Sequence, residues 1–242
     1  MKKIFCLIAV TLLLISFIGC KKSNNSYPLT TNMWITNTVV NMTGVKVDPG
    51  RNTIFASDSS IKYGAFRPYL LERRSIPFKI VNAADTNTVF YNSVVDLKSA
   101  VYTMFVAGVT PTPQIIVNEE TNFPFIPQDK IYTSTDSVVN VRFVNMSPNS
   151  VPVKVKIANA ATNEVDNLPY TSIGNWKAYP ALLTTTNYSF QIRDAGTDAL
   201  ITTYTFVANS TNRFKNVTLI IKGLQGTTTG TNAFGVSVVN YF

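Results

Sequence analysis

Histidine is absent from the 242-residue sequence, and only two cysteines, Cys6 and Cys20, are present. Without histidine the chain cannot form Ser-His-Asp or Cys-His nucleophile systems or histidine-ligated metal sites. Charged residues make up only 14% of the chain, and no acidic or Gln-rich tract indicates disorder. The glycine-containing segment 226–231 lacks the lysine of a phosphate-cradling loop. These absences argue against an enzyme and against a bound metal or other cofactor.

Paired carboxylates are the catalytic arrangement that this composition still permits, because glycosidases need only two of them. Glu119 and Glu120 are adjacent, so in a strand they would point to opposite faces. Glu164 and Asp166 could share a face, but their Asn-rich segment is typical of a loop. We therefore predict a non-catalytic protein with no catalytic residues.

The N terminus has the features of a secretory signal. Two lysines precede an apolar run at 4–18, and Gly19-Cys20 follows. The run is about 15 residues long, whereas a membrane-spanning helix needs about 20. A charged start, a short apolar core and a small residue before the cleavage point predict that residues 1–19 are a signal peptide. An uncleaved anchor is the alternative.

The segment FIGC, which ends at Cys20, resembles the lipobox of bacterial lipoproteins. The resemblance implies that Cys20 is lipidated, begins the mature chain and anchors it to a membrane of the cell envelope. Lys21 stands where an inner-membrane retention aspartate would otherwise sit, which favours the outer membrane, on either its periplasmic or its surface face. Removal of Cys6 would leave Cys20 without a disulfide partner, and the polar segment 20–32 is typical of a flexible tether.

Alternation of apolar and polar residues predicts that the rest of the chain is all-β. In VPVKVKI (151–157) valines alternate with lysines, and YSFQIR (188–193), NVTLIIK (216–222) and FGVSVV (234–239) continue the theme. Clusters of Thr, Asn and Gly separate these runs, and no stretch after the signal has helical periodicity. The density of short strands favours Greek-key β-sandwiches.

An internal repeat divides the chain into two modules. FKIVNAADTNTVFYN, starting at Phe78, aligns with FQIRDAGTDALITTY, starting at Phe190. We predict one module at 33–118, a second at 138–242, and an exposed linker at 119–137 that contains two prolines. Further pairs keep nearly the same spacing: Asn37 with Asn145, 45–47 with 153–155, Tyr63 with Tyr170, and Gly108 with Gly223.

Three segments of the second module match the pattern of a known family: VNVRFVNMSPNSVPVKVKI, LPYTSIGNWKAYPA and YSFQIRDAGTDALI. They resemble the bacterial "domain of unknown function 4397" family, with its Asn-x-Ser-Pro strand end, Tyr-Gly stretch and Asp-Ala-Gly hairpin. Thr171 replaces the usual glycine, and the first module keeps Tyr63-Gly64 but lacks the Ser-Pro. The resemblance implies tandem immunoglobulin-like sandwiches on secreted or lipid-anchored proteins, often of Bacteroidetes, and no catalytic residues.

Asp194 and Asp198 flank a glycine in FQIRDAGTDALITTYTF, a pattern that a calcium loop could share. Calcium takes about six to eight oxygen ligands, usually from several carboxylates, and the first module has NAADTN at the equivalent place. Asp, Gly and Asn are also the residues that a tight turn between strands requires. We predict a hairpin turn and no metal site.

Positive charge is concentrated between residues 51 and 79, where only Asp58 and Glu72 oppose it. Such clustering favours an anion-binding face, because arginine binds carboxylates, sulfates and phosphates bidentately. An ordinary solvated face is the alternative. The ligand would be acidic polysaccharide or lipopolysaccharide, and export argues against nucleic acid. The candidate residues are Arg51, Lys62, Arg67, Arg73, Arg74 and Lys79.

Three other residues are candidates for contacts with sugars. Trp176 and Tyr179 could stack on sugar rings, although a tryptophan more commonly fills a sandwich core. Ser137, within Asp136-Ser137-Val138, matches the Asp-Ser-aliphatic pattern of Bacteroidetes-type O-glycosylation and would lie in the exposed linker.

These features together predict a binding or adhesion module of the cell envelope for glycan or protein. A structural, pilin-like subunit is the alternative, in which TNAFGVSVVNYF (231–242) would act as an exchanged terminal strand. An accessory subunit of an uptake or secretion complex is a third hypothesis. No motif in the sequence selects the ligand.

Overall fold

The described part of the chain consists of β-strands and their connections. The structure is a computed structural model that describes residues 29–51, 54–55, 57–125, 137–182 and 184–241. The predicted signal peptide, Cys20 and residues 126–136 of the predicted linker lie outside these ranges. None of the described residues belongs to a helix, so this part contains no helix long and apolar enough to cross a membrane. The all-β sandwich prediction is confirmed.

The first module has eight described strands, whose side chains point alternately to the two faces of each sheet. They are β1 (Thr30–Val40), β2 (Gly44–Pro49), β3 (Ile61–Lys62), β4 (Phe66–Glu72), β5 (Ser75–Asn82), β6 (Val89–Asp96), β7 (Val101–Val109) and β8 (Gln114–Glu119).

The second module also has eight described strands. They are β9 (Val138–Asn145), β10 (Val153–Ile157), β11 (Asn163–Leu168), β12 (Lys177–Pro180), β13 (Thr186–Asp194), β14 (Leu200–Ala208), β15 (Asn216–Lys222) and β16 (Gly235–Asn240). The predicted strand at 216–222 coincides with β15, and the other three predicted strands correspond to β10, β13 and β16 with small shifts at their ends.

The two modules share one strand order, as the internal repeat predicts. The sheets of the first are β4-β1-β7-β8 and β3-β2-β5-β6, and those of the second are β12-β9-β15-β16 and β11-β10-β13-β14. β1 pairs in parallel with β7, and β9 with β15. In an immunoglobulin domain the first two strands share a sheet. Here the first two strands of each module lie in different sheets. In the first module, for example, the neighbours of β1 are β4 and β7 rather than β2, so the strand order differs in detail from that of an immunoglobulin domain.

Asn37 and Asn145 hold equivalent turns in the two modules. Each side-chain Nδ2 donates to a backbone carbonyl at 3.0 Å, and each Oδ1 accepts from the backbone amide two residues later. The backbone carbonyl of each asparagine accepts from a residue with positive φ, Gly64 (74°) in the first module and Thr171 (67°) in the second. Thr171 therefore preserves the turn conformation that glycine adopts in the first module.

Each module encloses its own apolar core between its two sheets. Ile35, Phe78 and Met104 are fully buried in the first core, and Phe190 and Leu219 in the second. Alternation places these residues on the inner faces of their strands, and their neighbours along each strand on the outer faces.

A third apolar cluster lies between the modules. β1, β7, β9 and β15 are buried along most of their length, because the residues that point away from the two cores pack against the other module. The sheets β4-β1-β7-β8 and β12-β9-β15-β16 therefore face each other across a surface that we call the junction. Its buried apolar members are Trp34, Val101, Phe105, Ala107, Phe123, Val144, Met146, Ile220, Val239 and Tyr241.

The junction corrects the predicted linker at both of its described ends. Glu119 is the last residue of β8, and Glu120 and Phe123 are only 8% and 6% exposed. Glu120 and Phe123 are therefore packed, because they carry an ion-paired carboxylate and an apolar ring into the junction, whereas Asn122 and Phe125 remain exposed. Ser137 is 2% exposed. Its glycosylation stays a prediction, but the exposed setting expected for it is not observed.

Candidate functional site

A β-bulge distinguishes the second module from the equivalent part of the first. In the first module β4 runs beside β1 in unbroken register. In the second, Ile173 pairs with Val144 and Lys177 with Val141, so three residues (174–176) lie opposite two residues of β9. One extra residue on one strand defines a β-bulge, and bulges often turn a side chain toward a binding site.

Gly174 fits this bulge because its backbone lies close to β9. Its amide donates to the Phe143 carbonyl at 2.8 Å, and a Cβ at position 174 would lie 2.9 Å from that same oxygen. Two residues later, the Trp176 ring reaches the junction, with its centroid 5.5 Å from that of Phe123 and 5.9 Å from that of Tyr241. The bulge thus places an indole at the boundary between the modules.

Arg142 is the buried charge beside this indole. Its Nη1 and Nη2 donate to the two carboxylate oxygens of Glu120 at 2.8 and 2.6 Å, and the two side chains are 2% and 3% exposed. Its Nε donates to Thr218 Oγ1 at 2.9 Å, and its guanidinium carbon lies 4.3 Å from the centroid of Trp176. Asn118 Nδ2 donates to Glu120 at 2.7 Å. This paired geometry is the strong, bidentate form of a charged hydrogen bond.

Two grooves share the bulge residues 173–176. The Glu119 groove has a volume of 480 Å³ and is also lined by residues 118–122 and Arg142. The Asp166 groove has a volume of 580 Å³ and is also lined by residues 164–168, Ser172 and Lys177. Both volumes fall within the range of small-molecule sites.

Free polar groups and aromatic rings meet at the Glu119 groove. Asn122 and Asn175 are exposed, and neither side chain hydrogen-bonds to any described residue. Beside it, Phe125 is 66% exposed with its centroid 5.4 Å from Phe123, whose ring contacts Trp176. An indole next to amides can stack on the apolar face of a sugar while the amides bond its hydroxyls.

The structure separates the two residues that the sequence proposed for sugar stacking. Trp176 is half-buried and lines both grooves. Tyr179 is buried in the core of the second module, and its hydroxyl donates to Glu164 at 2.7 Å. Burial and this hydrogen bond raise the pKa of Tyr179. The stacking prediction is therefore wrong for Tyr179, because its position in β12 faces the core.

Ion pairs neutralise part of the predicted anion-binding cluster. Arg51 donates to Asp48 at 2.8 Å and to Asp58 at 2.9 Å, and these carboxylates raise the pKa of its guanidinium. Arg74 pairs with Glu72 at 2.9 Å. These two arginines already have carboxylate partners, so neither presents an unpaired charge to a ligand.

The other four cations of the cluster lie on different parts of the first module. Arg67 and Arg73 donate to backbone carbonyls at 2.9 Å. Lys62 on β3 and Lys79 on β5 form no ion pair with a described residue, and their sheet is not the one that contains Arg67 on β4. The six cations therefore do not share one sheet, and anion binding by them stays a prediction.

The hairpin prediction at 194–198 is confirmed, since β13 ends at Asp194 and β14 begins at Leu200. Asp194 Oδ1 accepts from the backbone amides of Gly196 at 2.7 Å and Thr197 at 3.1 Å, and these bonds lower the pKa of its carboxyl. Asp198 has a φ of 62° and pairs with basic side chains on neighbouring strands. Both carboxylates thus stabilise the turn.

Sequence reasoning selected Trp176 but missed Arg142, Asn122 and Asn175. Two signals could have found the region. An isolated glycine, Gly174, interrupts a strand pattern and so indicates a bulge. An arginine in the middle of the apolar strand VNVRFVN indicates a buried charge that needs a partner.

No family model and no curated protein matches the chain. Among solved structures, the chain is similar at 14% identity to a product complex of the multi-modular, glycogen-degrading pneumococcal virulence factor SpuA, over 78% of this chain and 21% of that one. It therefore spans less than two thirds of that protein. It is also similar at 13% identity to a streptococcal virulence factor studied for α-glucan binding, over 78% and 93% of the two chains. A proposed adhesin from Bacteroides ovatus is similar at 13% identity over 88% and 95%. All three have a TM-score of 0.24, which is too low to indicate a function.

Proposed function

We propose that the protein is a non-catalytic lipoprotein of the cell envelope that binds glycan in the Glu119 groove. The observation that supports this function is the half-buried indole of Trp176 beside the unpaired amides of Asn122 and Asn175. Sugars present apolar C–H faces and hydroxyls that both donate and accept. A ring with neighbouring amides complements both properties.

The carboxylates near the grooves support a role in binding rather than catalysis. Glu120 pairs with Arg142 at 2.6 Å, and Glu164 pairs with Lys177 at 2.5 Å. Each of these two carboxylates is thus already bound to a cation of the protein itself. Glu119 and Asp166 line different grooves, and the whole chain has no histidine to serve as a base.

The proposed membrane anchor is consistent with a binding role. Lipid on Cys20 would hold the modules at the outer membrane by the tether 20–32, as the lipobox resemblance implies. Many copies anchored on one surface would bind a polymeric glycan with an avidity above the affinity of a single site. We also propose membership of the "domain of unknown function 4397" family, supported by the motifs of the second module.

A glycan array probed with the mature protein, purified in detergent, tests this function. We expect Asn175→Ala and Asn122→Ala each to weaken binding about tenfold, which corresponds to about 1.4 kcal/mol. Asn187→Ala, an exposed asparagine on β13, is the matched control and should bind like the parent. Absence of binding to every glycan, or equal binding by Asn175→Ala and the parent, would contradict the proposal.

The pilin-like alternative depends on whether the C-terminal strand can leave its own module. β16 is an edge strand of its sheet, as strand exchange would require. Tyr241, directly after it, is buried in the junction with its ring centroid 4.9 Å from that of Trp34. If β16 moved to another copy of the chain, the contact between Tyr241 and Trp34 would be broken. Size-exclusion chromatography should therefore show one species rather than a ladder of oligomers.

A further inference from the structure

The charge beside the grooves differs in sign from the charge of the whole chain. The sequence has a formal net charge of +8, which by itself favours an acidic ligand. The two cations that line the grooves are already paired, Arg142 with Glu120 and Lys177 with Glu164. Neither groove is thus lined by a described cation that is free to receive a ligand carboxylate or sulfate.

Each groove retains one carboxylate without a cationic partner. Glu119 accepts from the hydroxyl of Ser99, and Asp166 accepts from Asn163 Nδ2 at 2.8 Å. Neither forms an ion pair with a described residue. The ammonium of Lys98 pairs with Asp96 at 3.0 Å, so Lys98 attracts the Glu119 carboxylate only at longer range. An acidic ligand would therefore meet unpaired negative charge in both grooves.

We infer that the Glu119 groove, together with the Asp166 groove that shares residues 173–176 with it, selects uncharged glycans over acidic ones. This inference rests on the proposed function and names the ligand class of the same site. Like charges repel one another over about 8 Å at physiological salt, so Glu119 or Asp166 would repel a ligand carboxylate bound in its groove. Removing that carboxylate from water without a cation would add a desolvation cost. The amides of Asn122 and Asn175 donate and accept, which suits hydroxyl groups.

The stacking surface also restricts the ligand. The Arg142 guanidinium lies 4.3 Å from the Trp176 centroid and covers one face of the indole. At most one face of the ring is therefore left for a sugar. A single stacked sugar gains part of its affinity from apolar contact, which salt does not screen. Binding of an uncharged glycan should accordingly depend little on ionic strength.

Matched pairs of polymers test the inference. The mature protein in detergent is titrated with neutral glucan, galactan and mannan, and with the same polymers oxidised at C6 to carboxylates. We expect at least one neutral polymer to bind about tenfold tighter than its oxidised form, with less than a twofold change between about 0.05 and 0.5 M salt.

Three variants assign the selectivity to the grooves. Glu119→Gln with Asp166→Asn should reduce the preference for the neutral over the oxidised polymer, measured as the ratio of their affinities, about fivefold. Glu72→Gln, at an exposed carboxylate of the first module, should change neither affinity. Asn175→Ala should weaken binding of the neutral polymer.

Two results would overturn the inference in different ways. If the parent prefers oxidised polymers and Asn175→Ala abolishes that binding, the selectivity is rejected, while glycan binding in the groove stands. Failure of both the neutral and the oxidised polymers to bind would reject the proposed function itself, and the selectivity with it.

Discussion

Arg142 occupies in the second module the position that Trp34 occupies in the first, three residues before the repeat asparagine. Trp34 contacts Tyr241 with ring centroids 4.9 Å apart, and Arg142 contacts Glu120 at 2.6 Å. Tyr241 and Glu120 each directly follow the last strand of their module. The junction therefore contains two equivalent contacts, each between one module and the other, as in an isologous dimer. One contact has become aromatic and the other ionic.

The ionic contact should be essential to stability. Glu120→Ala leaves the Arg142 guanidinium buried without its counter-charge, and breaking such a pair from one side costs about 3–5 kcal/mol. We expect the urea midpoint of the variant to fall accordingly.

Two controls distinguish a buried charge from a general effect of substitution. Glu72→Ala breaks the exposed pair with Arg74 and should cost less than about 1 kcal/mol. Arg142→Met combined with Glu120→Leu removes both charges and should be more stable than Glu120→Ala alone. A Glu120→Ala protein as stable as the parent would show that the pair contributes nothing.

The junction should keep the two modules together after the chain between them is cut. The sequence predicts that limited proteolysis cuts first near Lys130, within residues 126–136. Because the junction buries a large apolar cluster on both sides, the two fragments should elute together in size-exclusion chromatography without denaturant. Separation of the fragments under native conditions would mean that the modules are independent.

Gly174 should be required for the bulge that positions Trp176. Gly174→Ala places a Cβ 2.9 Å from the Phe143 carbonyl oxygen, so the backbone must move. We expect a loss of about 1–3 kcal/mol in stability, together with weaker glycan binding. Gly235→Ala is the matched control, because nothing lies within 4 Å of its added Cβ. Equal stability of the two variants would contradict the role assigned to Gly174.

Stability should decrease at alkaline pH, in part through Tyr63. Burial raises the pKa of its phenol from 10.0 to about 12. The unfolded chain then loses this proton first, so stability is retained below about pH 10 and lost as the pH rises toward about 12. Lys222, whose ammonium lies 4.5 Å from the Tyr63 centroid, has a pKa lowered by burial and acts in the opposite sense.

Tyr63→Phe isolates the contribution of the phenol, because Lys222 is present in both proteins. Thermal midpoints measured from pH 8 to 11 should fall less steeply for the variant than for the parent. Part of the fall should remain, since burial also raises the pKa of Tyr179 and Tyr241. Parallel curves for the two proteins would show that Tyr63 titrates alike in the folded and unfolded states.

Membrane attachment should depend on Cys20. Mass spectrometry of protein extracted from membranes should find acyl mass on Cys20 at the start of the chain. Cys20→Ala should abolish membrane retention, and Cys6→Ala, within the predicted signal, should retain it. A purified chain that still begins at Met1 would contradict the prediction.

The strands and the repeat were predictable because their signals are local. Alternation in 216–222 follows from the two-residue period of a strand, and the hairpin at 194–198 follows from residues that favour a tight turn. Asn37 and Asn145 could be matched because each forms the same bonds to its own backbone surroundings.

The sequence could not predict what each face of a strand packs against. Alternation assigns Lys177 and Tyr179 to the same face of β12, but it does not say what that face packs against. In the structure Tyr179 is buried in the core of the second module. The pairing of Arg51 with Asp48 and Asp58 is equally invisible when charges are only counted along the chain.

The sequence by itself determined that this protein is an all-β tandem repeat, because strand period, turn chemistry and internal similarity are properties of neighbouring residues. Only the tertiary structure decided that β1, β7, β9 and β15 are covered on both faces, and that Arg142 and Glu120 meet across the junction. These contacts join residues from separate strands and modules. Their energy depends on how deeply the residues are buried and on the distance to an oppositely charged partner that water does not screen. The order of residues along the chain contains neither the burial nor the distance, so the candidate site, which forms where the modules meet, appears only in the folded chain.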